Sequence, residues 1–126
     1  MNSKSILTTA GILGGIAVIL GALGAHALKD LLSEAQVSSF NTAVRYQMWH
    51  AIALLALALL VDKVKGIKGI FWSWLSGVIL FSGSIYLLNL DELMGLDLGF
   101  LGPITPLGGL GMILGWILLI IGARRK

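Results

Sequence analysis

The stretch Glu34–Val61, EAQVSSFNTAVRYQMWHAIALLALALLV, decides how many times this chain crosses a bilayer. Only its second half, Ala51 to Val61, is continuously apolar. That is too short for a hydrocarbon core of about 30 Å, which needs roughly 20 helical residues at about 1.5 Å each. Counting back about 20 residues from Asp62 reaches Thr42. A spanning helix therefore has to carry Arg45, Gln47 and His50 into the outer part of the membrane. Ser33 followed by Gln36 has the form of a capping box. Val37, Phe40 and Val44 then continue an apolar stripe at helical spacing. The pattern predicts one long helix from about Glu34 to Val61, crossing at 42–61, with its first turns outside the apolar slab.

Three plainer spans surround it, at about 6–28, 70–90 and 106–123. Thr105 before Pro106 reads as a cap residue followed by proline at the first helical position, where the missing N–H costs nothing. Composition agrees. Of the 126 residues, 57% are apolar and 12% charged, against roughly half and about a quarter in soluble domains. The expected fold is all-α: one integral membrane four-helix bundle occupying 1–126 as a single domain. The absence of cysteine excludes disulfides, thiolate metal sites and cysteine nucleophiles.

The net charge of +3 is modest, and the cations sit at the ends of apolar runs. That is the mark of membrane orientation, not of nucleic-acid binding. Lys4, Lys63, Lys65, Lys68, Arg124, Arg125 and Lys126 share one face under this topology. The other face has Lys29 and the partly embedded Arg45, together with Asp30, Glu34, Asp91, Glu92 and Asp97. The bias predicts both termini on the cytoplasmic side. Lys4, an apolar run and Ala25-His26-Ala27 imitate a signal peptide and its cleavage site. The run is longer than a typical signal core, however, and cleavage would leave three spans with the termini on opposite faces.

Lipid removes the hydrophobic drive for helices to associate, so close backbone packing takes its place. The 17 glycines suit that need. Gly11, Gly15 and Gly21 mark span one. Ser73, Ser76, Gly77, Gly83 and Ser84 form a stripe on span three, and Gly108, Gly111, Gly115 and Gly122 one on span four. These stripes predict a tight bundle or a face for a second copy. The segment Asp91–Ile104 is unusually apolar for a loop and is expected at the outer interface or folded back on the bundle. Trp49, Trp72, Trp74, Tyr46 and Tyr86 lie near span ends, as interfacial anchors do.

Polar residues gather at the outer depth. They are His26 at the end of span one, Arg45, Gln47 and His50 on span two, Tyr86 and Asn89 on span three, and Asp91 and Glu92 just beyond. An embedded arginine is costly unless it reaches phosphates or pairs, here with Asp91 or Glu92, or binds an anionic headgroup or small acid. For His50, donation to a neighbouring carbonyl is the plain role and a proton relay the alternative. No two histidines or carboxylates stand on one helix at ligand spacing, which argues against a metal site. Gly108-Gly109-Leu110-Gly111 lies inside a span with no strand before it, so a phosphate loop fails on context. No nucleophile and base constellation and no cofactor signature appears, and the expectation is a protein that is not an enzyme.

Gly21-Ala22-Leu23-Gly24-Ala25-His26, Thr42-Ala43-Val44-Arg45-Tyr46-Gln47-Met48-Trp49-His50, Phe81-Ser82-Gly83-Ser84-Ile85-Tyr86 and Thr105-Pro106-Leu107-Gly108-Gly109 together resemble one family. It is the YgdD/YwdK-like family of small bacterial inner-membrane proteins (domain of unknown function 423), with relatives in animals. The resemblance covers nearly the whole chain. It implies four membrane helices and residence in the bacterial cell membrane, and it brings no established activity. The motif residues include His26, Arg45, Tyr46, Gln47 and His50. Two roles follow as expectations: a structural, assembly or interaction protein whose partners are membrane lipids, copies of itself or other membrane proteins, or a small transporter, channel or lipid-binding protein built on the outer cluster.

Overall fold

The computed structural model describes residues 1–125, with Lys126 of the cationic tail lying outside the described residues. Four long helices make up the chain: α1 (Ser3–Ala25), α2 (Glu34–Leu59), α3 (Ile67–Leu90) and α4 (Ile104–Arg124). A single 3₁₀ turn at Gly99–Leu101 precedes α4. There is no strand among the described residues. α1, α3 and the α4 region are long and apolar enough to cross a membrane. α2, at 26 residues, has the length but is too polar to qualify by composition alone.

Each helix runs antiparallel to the one before it. Along the α1–α2 seam, Gly24 meets Phe40, Gly21 meets Val44 and Gly14 meets Ala51. Farther down, Ile6 and Ala10 share one buried cluster with Leu54, Leu57, Val64, Ile70 and Trp74. α2 thus runs antiparallel along the length of α1. Gln47 and His50, the polar side chains of its second half nearest the apolar run, are buried against neighbouring helices, which offsets the cost of so mixed a segment in lipid.

Helix ends follow local chemistry. Ser33 Oγ accepts from Gln36 N at 3.2 Å while Gln36 Oε1 accepts from Ser33 N at 2.9 Å, completing the capping box. Asn2 caps α1 through Ser5 N. The turn into α3 passes through Gly66 at φ 78°, a left-handed conformation that glycine adopts without penalty. α4 starts earlier than expected, at Ile104 with Pro103 at the cap position. Thr105 is not the cap: its hydroxyl bonds Ser84 Oγ on α3. Pro106 still falls in the first turn, where no N–H is required.

The α3–α4 seam is the closest contact. A Cβ on Gly108 would collide with the backbone of Phe81, and one on Gly77 would come within 2.6 Å of Met112 N. Gly111 lies against Gly77 and Ser73, Gly115 accepts the Trp74 indole, and Gly122 lies on the Lys65 carbonyl. Lys65 N donates to Gly122 O at 3.2 Å, so the α2–α3 turn and the end of α4 share one end of the bundle. Not every glycine serves. Gly11, Gly15 and Gly83 have nothing within 4 Å of where a side chain would begin. Ser76 turns out of the seam and bonds its own helix at Trp72 O.

Gly108→Leu should lower the unfolding midpoint in mild detergent, followed by circular dichroism, by an amount matching about 1–3 kcal/mol or more of overpacking. Gly83→Ala should leave it unchanged or slightly raised, because the added methyl meets open space.

Candidate functional site

Three polar residues of α2, spaced along the face turned inward, set the interior. Gln47 is 4% exposed and reaches both neighbours. Its Nε2 donates to Leu13 O on α1 at 2.8 Å, and its Oε1 accepts from the Tyr86 hydroxyl on α3 at 2.7 Å. The two partners fix the amide orientation, since a carbonyl can only accept. Four residues earlier, Ala43 O accepts from the fully buried Ser82 Oγ at 2.7 Å. Nearer the helix start, Ser39 Oγ accepts from Asn89 Nδ2 at 3.1 Å. Ser82, Tyr86 and Asn89 thereby clamp α3 to α2 in successive turns.

His50 lies one turn below Gln47. Its Nδ1 is 2.8 Å from Tyr46 O and its Nε2 3.2 Å from Trp116 Nε1. The carbonyl can only accept, so Nδ1 carries the proton. The indole can only donate, so Nε2 supplies a lone pair. The ring is held as one neutral tautomer with both nitrogens occupied. Trp74 stands edge-on to it at 6.0 Å and lies 4.6 Å from Trp116, so an aromatic box joins α2, α3 and α4. Trp74 Nε1 is buried without a partner, pressed against the glycine at 115. Below the box is a cavity of about 70 Å³ bounded by Ala53, Leu57, Trp74, Trp116 and Leu119. No polar atom faces it.

The outer cluster read from the sequence divides. Gln47, Tyr86, His50 and Asn89 are inside, each bonded. His26 ends α1 with its backbone N–H on Ala22 O and its side chain exposed. Asp91 turns to its own loop, accepting from Glu92 N at 2.8 Å and Leu98 N at 3.3 Å. Glu92 is exposed. Arg45 meets neither acid. It points outward into a groove of about 440 Å³ with Lys29, Asp30 and Glu34. Trp74, placed among interfacial anchors by its position, is a core residue at 1% exposure, and Tyr86 is bonded inside, whereas Trp49 and Trp72 are more than half exposed. Trp116, Ser82 and Ser39 escaped the sequence reading. A tryptophan in the middle of a span was the available signal, because its N–H wants an acceptor and tryptophan otherwise favours the interface.

The profile of the family described as "Protein of unknown function (DUF423)" matches residues 20–109. The chain belongs to this family. The matched region contains α2, α3 and the start of α4, hence every hydrogen-bonded polar residue of the interior except Leu13 O and Trp116. The chain is 40% identical over 119 residues to the UPF0382 membrane protein YwdK of Bacillus subtilis, covering 89% of this chain and 93% of that one. It is 36% identical over 128 residues to the UPF0382 inner membrane protein YgdD of Escherichia coli K12, covering 99% and 93%. A UPF0382 membrane protein of Staphylococcus saprophyticus is 37% identical over 108 residues, covering 85% and 86%. No solved structure matches. The chain is thus a membrane protein of the DUF423 family.

Within the interior, Tyr86→Phe should leave Gln47 Oε1 without its donor and cost about 0.6–1.7 kcal/mol in detergent unfolding. In a double-mutant cycle, Tyr86→Phe should cost little when introduced into Gln47→Leu, because the bond it removes is already gone, while the Gln47 bond to Leu13 O is lost in both members of that pair.

Proposed function

We propose that this DUF423 protein is a non-enzymatic component of the bacterial inner membrane, spanning it with both termini on the cytoplasmic side and acting by association with copies of itself or other membrane proteins. The observation that carries the reading is the state of the interior. Gln47, His50, Ser82, Ser84 and Asn89 are all bonded within the chain. Among the described residues the one buried side-chain polar atom left without a partner, Trp74 Nε1, is pressed against Gly115 and not turned to a polar void. A transport path needs polar groups that a solute can borrow, and a catalytic site needs a free acid, base or nucleophile beside a void. His50 has neither a free nitrogen nor a polar cavity beside it. A central permeation route through Arg45 and His50 fits poorly with one facing outward and the other sealed.

The surface supports association. Gly11 and Gly15 are exposed, four residues apart on the outward side of α1, with Ile12, Ile16 and Ile19 around them. Such spacing lets a second helix approach closely in lipid. Orientation rests on charge. The α2–α3 turn and the C-terminal end of α4 meet through Lys65 and Gly122, so Lys63, Lys65, Lys68, Arg124 and Arg125 gather at one end, and excess cations mark the cytoplasmic side.

Wild type in nanodiscs should cross-link as an oligomer, and Gly15→Leu should reduce it to monomer with an unchanged melting temperature, because that side chain meets nothing within the chain. A wild type that is monomeric in bilayers removes the association reading. The lack of native cysteine makes orientation simple to read: Lys63→Cys and Ala123→Cys should resist an impermeant maleimide in intact spheroplasts, while Asp97→Cys should react. Labelling of the first two from opposite sides would overturn the topology.

A further inference from the structure

The geometry points to a zwitterionic phospholipid headgroup, a phosphodiester carrying a primary ammonium, as the occupant of the groove beside the start of α2. That groove, about 440 Å³, runs between the α1–α2 connection and the first three turns of α2. Glu34, Ser38, Asn41 and Arg45 line it at helical spacing, and Lys29 and Asp30 face them from the connection. It lies outside the interior network and does not depend on whether chains associate.

Charge selects the ligand. The lining holds two cations, Lys29 and Arg45, and two carboxylates, Asp30 and Glu34. A simple anion would gain the cations but face the carboxylates, and a simple cation the reverse. A headgroup bearing both charges satisfies both. Depth selects it further. Arg45 lies eleven residues beyond Glu34, about 16 Å deeper along the helix axis, while Glu34 and Asp30 stand at the rim. In a bilayer the phosphodiester lies nearer the hydrocarbon than the ammonium it carries, which is the same order. The guanidinium's planar fork suits phosphate oxygens. Among the described residues Arg45 has no ion-pair or hydrogen-bond partner, and an unpaired arginine at this depth is costly until a phosphate meets it. Ser38 and Asn41 add neutral donors between the two charged zones. Beyond Arg45, Trp49 and Ile52 continue the same face, 54% and 55% exposed, as a track for acyl chains. A soluble phosphate would use Arg45 and Lys29 but neither the carboxylates nor that track.

The test is native mass spectrometry of the delipidated full-length protein in mild detergent. It is titrated separately with dioleoylphosphatidylethanolamine, dioleoylphosphatidylglycerol and inorganic phosphate. Wild type should retain one phosphatidylethanolamine in preference to phosphatidylglycerol, with inorganic phosphate neither binding nor displacing it. Arg45→Ala should weaken retention about tenfold or more, the loss expected for one charge-assisted contact. Arg45 is exposed, so the variant should melt like wild type. Asp30→Asn with Glu34→Gln should keep lipid binding but abolish the preference, which a merely destabilised protein would not do. Undiminished retention by Arg45→Ala, equal binding of the two lipids by wild type, or displacement by inorganic phosphate would each overturn the proposal.

Discussion

Everything in this bundle follows from the apolar solvent that a membrane protein has around it. In lipid a backbone or side-chain polar group has no solvent to fall back on, and helices gain nothing by hiding apolar surface from one another. Two kinds of contact are left to hold the fold: backbones brought close enough for dispersion to count, and hydrogen bonds made across helices. The chain weights them differently from seam to seam, although Ser84 and Thr105 also bond across α3 and α4 and Gly21 and Gly24 also bring α1 close to α2. α3 and α4 meet through glycine, with Gly77, Gly108 and Gly111 touching backbone to backbone. α2 is joined to α1 and α3 through side chains, with Gln47 at the centre reaching both.

That division explains the polarity of α2. A helix carrying Asn41, Arg45, Gln47 and His50 would be a poor membrane span alone. Packed between α1 and α3, it turns Gln47 and His50 inward, where each has its bonds, and presents Arg45 to the outer groove. Ordering these side chains is favourable because leaving them unbonded in lipid would be worse. The interior so formed is specific and fixed. What the fold leaves open lies on its surfaces: the glycines of α1 that meet no side chain and the charged groove at the start of α2.

The aromatic box shows how the two seams are coupled. Trp74 can lie across α4 only because residue 115 has no side chain, and Trp116, the next residue, then stands where its N–H meets His50. A glycine chosen for helix approach thus also sets the protonation pattern of a histidine on a third helix. The apolar loop before α4 is organised by one side chain in the same economical way, Asp91 accepting backbone N–H groups at both ends of the turn, while Leu93, Met94, Leu96 and Phe100 remain outward.

Periodicity and charge were sufficient for the four helices, the Ser33 capping box, the long polar α2 and the small-residue stripes on α3 and α4, because each depends on residues near one another in sequence or on a property of a whole segment; they did not show which helices those stripes join. They also marked Gln47, His50, Tyr86 and Asn89 as residues that need partners. Who those partners are was not readable there. Leu13 O lies 34 residues from Gln47 and Trp116 lies 66 from His50, and such pairings depend on the rotation of each helix about its axis. That rotation is set by which glycines find a backbone to touch. Tertiary packing alone decided that Gly77 and Gly108 are buried while Gly11 and Gly15 are open, that Trp74 is core and not anchor, and that Arg45 turns from Asp91 to face a groove. One turn of helix carries a side chain through every direction, and sequence spacing fixes only the relative directions.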